Sequence, residues 1–524
     1  MQPPGETQGD FDAAIVGGAL SGAACALLLK RRDPSLRVVV IEKSPAFKRR
    51  VGEATTEVSG WFLLRMLGLG RFLVREQIPK NGLRFWFSND KTQSLADCSE
   101  IGGCQLSSVP AFLVDRSTLD EEVLRLAAEA GAEILRPAQA TSIELREGGL
   151  QRLTVESGGS TREIRARWVV DASGVKAMLA RANGWLETND AHPTLAAWSR
   201  WRGTGDWDSP AHAGESPDWT TGFNGIRSTA TNHFAGDGWW AWWIQLRNGD
   251  TSIGAVLDQR HADWLGSGGP VGEKLRTFLS RHPAARDMMR GAEFVSGDVH
   301  FRRNLPYFST RHAGDGFVLV GDASAFIDPL YSPGMDWIAF TASAAVELIM
   351  KWRAGTAVPP LAERHNRHFT ASQRRMFEAL YRDKYEYLGD HDLMRAAIRM
   401  DIASYYAFVV RPLYKKGPAA LDPPPLAAPE AVPFFLLMRF IHRRLAALAR
   451  SRRARGTFGK NNHARRDLLP GFTFSRRRLA KTWLHGLLLW LALEVREGWK
   501  KASPSHAEAV SESTATELPL PRNA

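Results

Sequence analysis

Cysteine is scarce: 524 residues carry three, Cys25, Cys98 and Cys104. Three thiols make no even disulfide framework, and their spacing fits no metal site. A chain this long buries ample core without covalent staples, so the composition points to a reducing, cytoplasmic compartment. Other signatures are missing as well. There is no His-Glu-x-x-His, paired-Cys or P-loop pattern, which leaves a metal centre or a nucleoside-triphosphate site unsupported. The apolar run of the tail, Trp483 to Val495, falls short of the roughly 20 residues of a membrane span. Met1 to Asp10 lacks the basic-then-apolar order of a secretory signal, so export is not expected.

Acid is what the C-terminal region lacks. Phe435 to Lys501 holds 17 Lys/Arg against 3 Asp/Glu, a local +14 in a chain whose net charge is +12. Basic flanks and Trp483, Trp490 and Trp499 suit an interfacial helix on an anionic membrane surface, or a face for an acidic partner such as an acyl carrier protein. A helix packed on its own domain is the plainer alternative. The arginines are not interleaved with an aromatic ladder, so no nucleic-acid partner is expected. Residues 502–524, rich in Ser, Glu, Ala and Pro, read as disordered.

What is present begins at the N-terminus. An apolar strand, Ala13 to Val16, runs into Gly17-Gly18-Ala19-Leu20-Ser21-Gly22 and an Ala/Leu-rich helix through Leu29. This is a dinucleotide fingerprint with one substitution: Gly17 makes the tight turn, Gly22 lets helix and strand pack, and Ala19 stands where backbone approaches a pyrophosphate. A second strand, Val38 to Ile41, ends at Glu42, 25 residues past Gly17, placed to accept hydrogen bonds from a ribose.

The remaining pattern is interrupted. Phe112 to Ala130 reads as a strand edge and a helix. Arg162 to Val170 is a strand ending at the turn Asp171-Ala172-Ser173-Gly174. A Trp-rich block from Ala196 to Asp258 alternates as an antiparallel sheet does. The chain then returns to the first domain through the strand Phe317 to Val320 and Gly321-Asp322, followed by Asp328-Pro329-Leu330-Tyr331-Ser332-Pro333-Gly334. A strand entering such a turn faces ligand in α/β proteins. From Phe340 onward helical periodicity dominates. The fold expected is α/β. A discontinuous FAD-binding Rossmann-like domain of the glutathione-reductase type spans 10–180 plus 290–345. An antiparallel-sheet substrate domain covers 181–289 with a contribution from 75–112, and a helical region covers 346–501.

These motifs, with Val51-Gly52-Glu53-Ala54-Thr55 and Trp240-Ala241-Trp242-Trp243-Ile244, resemble those of the flavin-dependent, tryptophan-halogenase-like halogenases, relatives of single-component flavin monooxygenases; the resemblance covers about residues 10–350. It implies FAD held by Gly17, Gly18, Ala19, Ser21, Gly22, Glu42, Lys43 and Arg50. It extends the contacts to Gly52, Glu53, Ala54, Asp171, Gly174, Gly321, Asp322, Pro329, Gly334 and Met335, with Asp322 on the ribityl and phosphate chain. It further implies that reduced FAD activates dioxygen, with oxygen passing either to an aromatic substrate or to halide as hypohalous acid.

The lysine of such halogenases lines a tunnel between flavin and substrate, and Lys80 matches it best; an amine there hydrogen-bonds hypohalous acid or forms a haloamine. A surface lysine is the bland alternative. Trp240, Trp242 and Ile244 match the Trp-x-Trp-x-Ile signature, with Gln245 where proline is usual, and share one face of a strand at period two. Tyr331 replaces the glutamate of the tryptophan-acting members, which points to a phenolic or pyrrolic substrate, lipophilic or carrier-bound. Ser332 keeps its place beside it. Pro333 falls where a halide-binding N–H would be and has none. No second glycine fingerprint follows a strand, so a separate flavin reductase is the expected source of reduced FAD, with direct nicotinamide docking as the alternative. A hydroxylase or reductase on the same fold, and a noncatalytic flavoprotein maturation factor, are the competing readings.

Overall fold

Five strands open the architecture. In a computed structural model, Phe11–Val16, Val38–Ile41, Glu133–Leu135, Ser160–Asp171 and Phe317–Leu319 run parallel, in spatial order third, second, first, fourth, fifth. The structure describes residues 11–212, 219, 225–260, 269–469, 471 and 474–499; the expectations for Met1–Asp10 and 502–524 lie outside these. Val38–Ile41 is buried at every position, as befits a parallel strand covered on both faces. The helices Leu20–Arg32, Arg116–Glu129 and Gly334–Arg353 pack together over this sheet. Before the fourth strand, Gln139–Glu144 and Gln151–Ser157 form an antiparallel meander with it.

The second sheet has eight strands: Glu293–Arg303, Thr194–Arg202, Thr251–Asp258, Trp239–Gln245, Thr231–Gly236, Leu83–Phe87, Ser99–Gly103 and Arg466–Leu469, in that order. The Trp-rich block is antiparallel as its alternation predicts, and the 75–112 segment supplies two strands. Leu83–Phe87 pairs parallel with Thr231–Gly236.

The C-terminal region is helical as expected, and one short strand interrupts it. Arg466–Leu469 adds a parallel edge strand beside Ser99–Gly103. Asp467 pins it by accepting from Arg399 Nη2 at 2.6 Å and Arg395 Nε at 3.0 Å, while Leu469 is buried. The helix Val358–Met376 packs into the core of the first sheet, while His391–Tyr405, Val432–Ala454 and Arg476–Glu497 share one apolar core with the second. In that core Phe85, Trp240 and Trp242 meet Tyr385, Leu393 and Met438. Sheet and helices thereby enclose a space between them.

Candidate active site

The sequence places two glycines where nothing larger fits. Gly17 has φ +103°, and a Cβ on it would lie 2.4 Å from the Ala172 carbonyl oxygen; a Cβ on Gly22 would lie 1.9 Å from the Gly17 carbonyl oxygen. Strand, turn and helix are therefore in backbone contact, and the turn stays open to a pyrophosphate. Glu42 is buried at the end of the second strand. Its Oε2 accepts from the Gly18 N–H at 2.8 Å and its Oε1 from the Ser44 N–H at 2.8 Å, which fixes the carboxylate and leaves lone pairs for a ribose.

Asp171 lies outside the cavity described next. Its carboxylate is fully buried and accepts from the Ser173 N–H at 2.9 Å and the Leu179 N–H at 2.8 Å, so it builds its own turn. Gly174, at φ +63°, completes that turn. Lys43 is exposed and away from the cavity described next. Ser21 packs against Gly321.

A cavity of about 810 Å³ runs from this domain to the helical region. Gly52, Glu53, Ala54, Asp322, Pro329 and Met335 line it, with Arg116 beside them. The Asp322 carboxylate reaches the cavity without a hydrogen-bond partner among the described residues. Burial raises its pKa, opposed by Arg116, Arg302 and Arg50. An unpartnered, half-buried carboxylate facing a cavity suits a ligand donor such as a hydroxyl. Arg50 sits 3.6 Å from Asp120. Glu53 is tied to an arginine: Arg200 donates to its Oε1 at 2.6 and 3.0 Å and also to Asp115 at 2.9 Å. Burial outweighs the arginine and pushes the Glu53 carboxyl up to about 7.

Lys80 is buried in the cavity wall, not on the surface. Its Nζ donates to the Thr55 carbonyl at 2.7 Å, and burial brings its pKa down to about 8 against the pull of Glu57 and Asp336. Asp336 accepts from Thr56 Oγ1, from the Ser59 N–H at 2.9 Å and from Tyr405 Oη at 3.0 Å. Burial nonetheless lifts its pKa to about 6. His233 also lines the cavity, and burial drives its pKa to about 3, so the ring is neutral.

Tyr331 and Ser332 are consecutive left-handed residues, φ +68° and +60°. Each costs on the order of 1 kcal/mol without a glycine. Several bonds hold the loop in that shape: Tyr381 Oη donates to the Leu330 carbonyl at 3.2 Å, and the Ser332 N–H to the Pro329 carbonyl at 3.0 Å. Tyr331 Oη donates to Asp401 Oδ2 at 3.0 Å, which also takes Lys384 Nζ at 2.7 Å. Pro333 then starts the helix Gly334–Arg353. The Gly334 and Met335 N–H groups point from its first turn and have no acceptor among the described residues, so they suit an anion or a carbonyl oxygen.

Trp240, Trp242 and Ile244 line the cavity together, while Ala241 and Trp243 face the opposite core. Trp240 Nε1 donates to Tyr385 Oη at 2.7 Å and Trp242 Nε1 to Ser252 Oγ at 3.1 Å, so neither ring nitrogen is left for a ligand.

The FAD binding domain family matches residues 10–194. The chain is 25% identical over 442 residues to the flavin-dependent halogenase chlA of Dictyostelium discoideum, covering 76% of this chain and 70% of that one. It is 25% identical over 353 residues to the flavin-dependent halogenase armH5 of Armillaria mellea, covering 64% of each. A chlorinase of Pseudomonas fluorescens, named for a 1H-pyrrole-2-carbonyl group on a peptidyl-carrier protein, is 24% identical over 62% of this chain and 72% of its own. The crystal structure of the halogenase PltM superposes with TM-score 0.70 at 19% identity, over 96% of this chain and 98% of that one. The chain is thus similar to flavin-dependent halogenases over most of its length, and its first part matches the FAD binding domain.

The protein is an FAD-dependent enzyme. Its glycine cradle, the Asp322 carboxylate and the Gly334 and Met335 N–H groups fit the cofactor. Arg200, Lys384 and Asp401 escaped the sequence reading, because ordinary charged residues on strands and helices carry no motif. Asp336 was findable: an acid in the first turn of a helix after a Pro-Gly pair is a recognisable start signal.

Proposed function

We propose that the protein halogenates a small aromatic substrate, phenolic or pyrrolic, using reduced FAD, dioxygen and halide. The observation that carries this reading is Lys80: a buried amine in the cavity wall between the cofactor-lining segment 52–55 and the Trp240 and Tyr331 side. Bound reduced FAD would supply activation of dioxygen and oxidation of halide to hypohalous acid. The chain's own residues do the rest. Lys80 receives the oxidised halogen by hydrogen bond or as a haloamine, and a depressed pKa gives it the lone pair that the second route needs. Trp240, Trp242 and Ile244 exclude water and keep the ring of the substrate from the cofactor. Halogen replaces an aromatic hydrogen, which leaves as a proton.

The relatives support an aromatic substrate. One is named for a carrier-bound pyrrole, and one structure of PltM holds phloroglucinol with FAD. The Tyr331 hydroxyl, where an acid would suit an indole amine, favours a phenol or pyrrole here. A separate flavin reductase delivers the reduced cofactor.

A specific observation favours a second reading, direct hydroxylation. Pro333 has no N–H, so one of the two amides assigned to halide by resemblance is missing, and the Gly334 N–H alone remains of that pair. Purified enzyme with a flavin reductase, NADH, phenolic candidates and chloride or bromide separates the two. Mass shifts that follow the halide carry the halogenase reading, whereas oxygen insertion indifferent to halide would sink it.

A further inference from the structure

The helix Arg476–Glu497 is packed on its own domain by one face. A Cβ on Gly486 would meet Met400 Cγ at 2.8 Å and the Ala396 carbonyl at 2.9 Å, and Trp490 and Leu493 are buried beside it. The opposite face is a different matter. Leu484, Leu488, Leu491 and Val495 recur at i, i+4, i+7 and i+11, forming a stripe about 16 Å long. All are exposed, Leu488 by 55% and Val495 by 85%. The same stripe continues toward the N-terminus as Lys481 and Arg477, both exposed and without a carboxylate partner among the described residues.

A second helix extends the patch. Val432–Ala454 exposes Leu436, Leu437 and Phe440, and the Phe440 ring packs on Trp490 and Trp499, with centroids 6.2 and 6.3 Å away. The cavity reaches the surface along this side. Phe408, 62% exposed, lines it and lies 4.7 Å, centroid to centroid, from Phe434 at the start of the second helix. Soluble surfaces seldom gather this many large apolar side chains around a cavity mouth.

Charge decides what covers the patch. The acids of the two helices are turned inward: Glu494 is held by Arg444 at 2.8 Å and Glu497 by Arg455 at 2.6 Å. Outward-facing Arg476, Arg477, Arg478 and Lys481 remain, while Glu430 near the mouth is the opposing carboxylate. A leucine stripe flanked by cations suits acyl chains below anionic headgroups; an acidic carrier protein would meet the cations but not fill the stripe. No helix among the described residues is long and apolar enough to cross a membrane, so contact is with the surface of one.

We propose that the outer face of these two helices docks on an anionic lipid bilayer and holds the cavity mouth against it, where a lipophilic aromatic molecule can enter. The docking is independent of halide chemistry, since its assay needs no turnover.

The test is vesicle sedimentation of the full-length holoprotein. Phosphatidylcholine vesicles with about 30% phosphatidylserine should carry the protein down, and pure phosphatidylcholine vesicles should not. Raising salt from about 0.05 to about 0.5 M should weaken binding severalfold. The pairs Leu484→Ser with Leu488→Ser, and Arg477→Glu with Lys481→Glu, should each lower partitioning about tenfold while FAD absorbance and Tm stay unchanged. Failure to sediment with the anionic vesicles, or sedimentation untouched by both pairs, overturns the proposal. So does a lipid-free dimer that the serine pair splits, which would give the face to a second copy. Capture by an acyl carrier protein without vesicle binding overturns it too.

Discussion

Lys80 Nζ lies 2.7 Å from the carbonyl oxygen of Thr55, so the buried amine is tied to the segment whose residues Gly52, Glu53 and Ala54 line the cavity. That tie sets the direction of the amine without neutralising it by a carboxylate. Replacing Lys80 by Ala or Met should cut halogenation by about 100-fold or more, the range that a positioned acid, base or nucleophile supplies. FAD binding and NADH-driven peroxide release should be unchanged. Product formation by either variant within tenfold of the parent would remove the role assigned to Lys80.

The pH dependence follows from the same residue. Burial lowers the Lys80 pKa to about 8, so protonated amine prevails below that value and neutral amine above it. If the halogen is carried as a haloamine, kcat/KM should rise with pH through about 8 and then level off. A limb that falls through the same value would mean that the ammonium acts as hydrogen-bond donor instead. Peroxide release, which does not use the amine, provides the flat control.

Much of the cofactor domain was legible because glycine leaves a conformational trace. Gly22 approaches the Gly17 carbonyl more closely than any side chain allows. Substituting Gly22 by Ala should therefore weaken FAD binding by about 100-fold, roughly 2.7 kcal/mol, as the fingerprint turn opens. Protein purifying with a full complement of flavin would contradict it. Gly17, with φ +103°, should behave alike.

The second half of the site was less legible, for a physical reason. Alternation of Trp240, Trp242 and Ile244 announces a strand face, and the structure puts all three on the cavity. Asp171 also looked like a ligand residue, and the structure holds its carboxylate by two local N–H groups away from the cavity lining, a placement that sequence does not carry. Asp401 and Lys384 meet Tyr331 only because the chain returns some 50 to 70 residues later. Arg466–Leu469 read as part of a helical region because four residues are too few for a period, and its partner strand is hundreds of residues away.

That distant cluster is testable by stability. Burial would raise the Asp401 carboxyl, but Lys384 and His442 outweigh it and hold the group well below the usual carboxylate range. A depressed folded-state pKa means that its contribution is present above the unfolded value near 4 and is lost as pH falls below it. Asp401→Ala should cost about 3 to 5 kcal/mol by stranding the Lys384 ammonium. The pair Asp401→Leu with Lys384→Met should recover most of that in urea unfolding. Tyr331→Phe should cost about 1.5 to 3 kcal/mol by losing the bond to a charged acceptor. If the single alanine variant matches the double, the ion pair is not the source of the stability.

Pro333 carries the sharpest prediction about halide. It lines the cavity and starts the helix whose Gly334 and Met335 amides are unpartnered. Pro333→Ala restores one N–H at φ −75°, a backbone angle that alanine adopts without strain. Should halide sit at this helix start, one added donor to a desolvated anion is worth about 1 to 3 kcal/mol. The KM for chloride or bromide should then fall by about tenfold or more while kcat holds, because the donor binds halide in ground and transition states alike. An unchanged halide KM, with the variant folded and flavin-loaded, would move the halide away from this turn and leave Gly334 and Met335 to the cofactor.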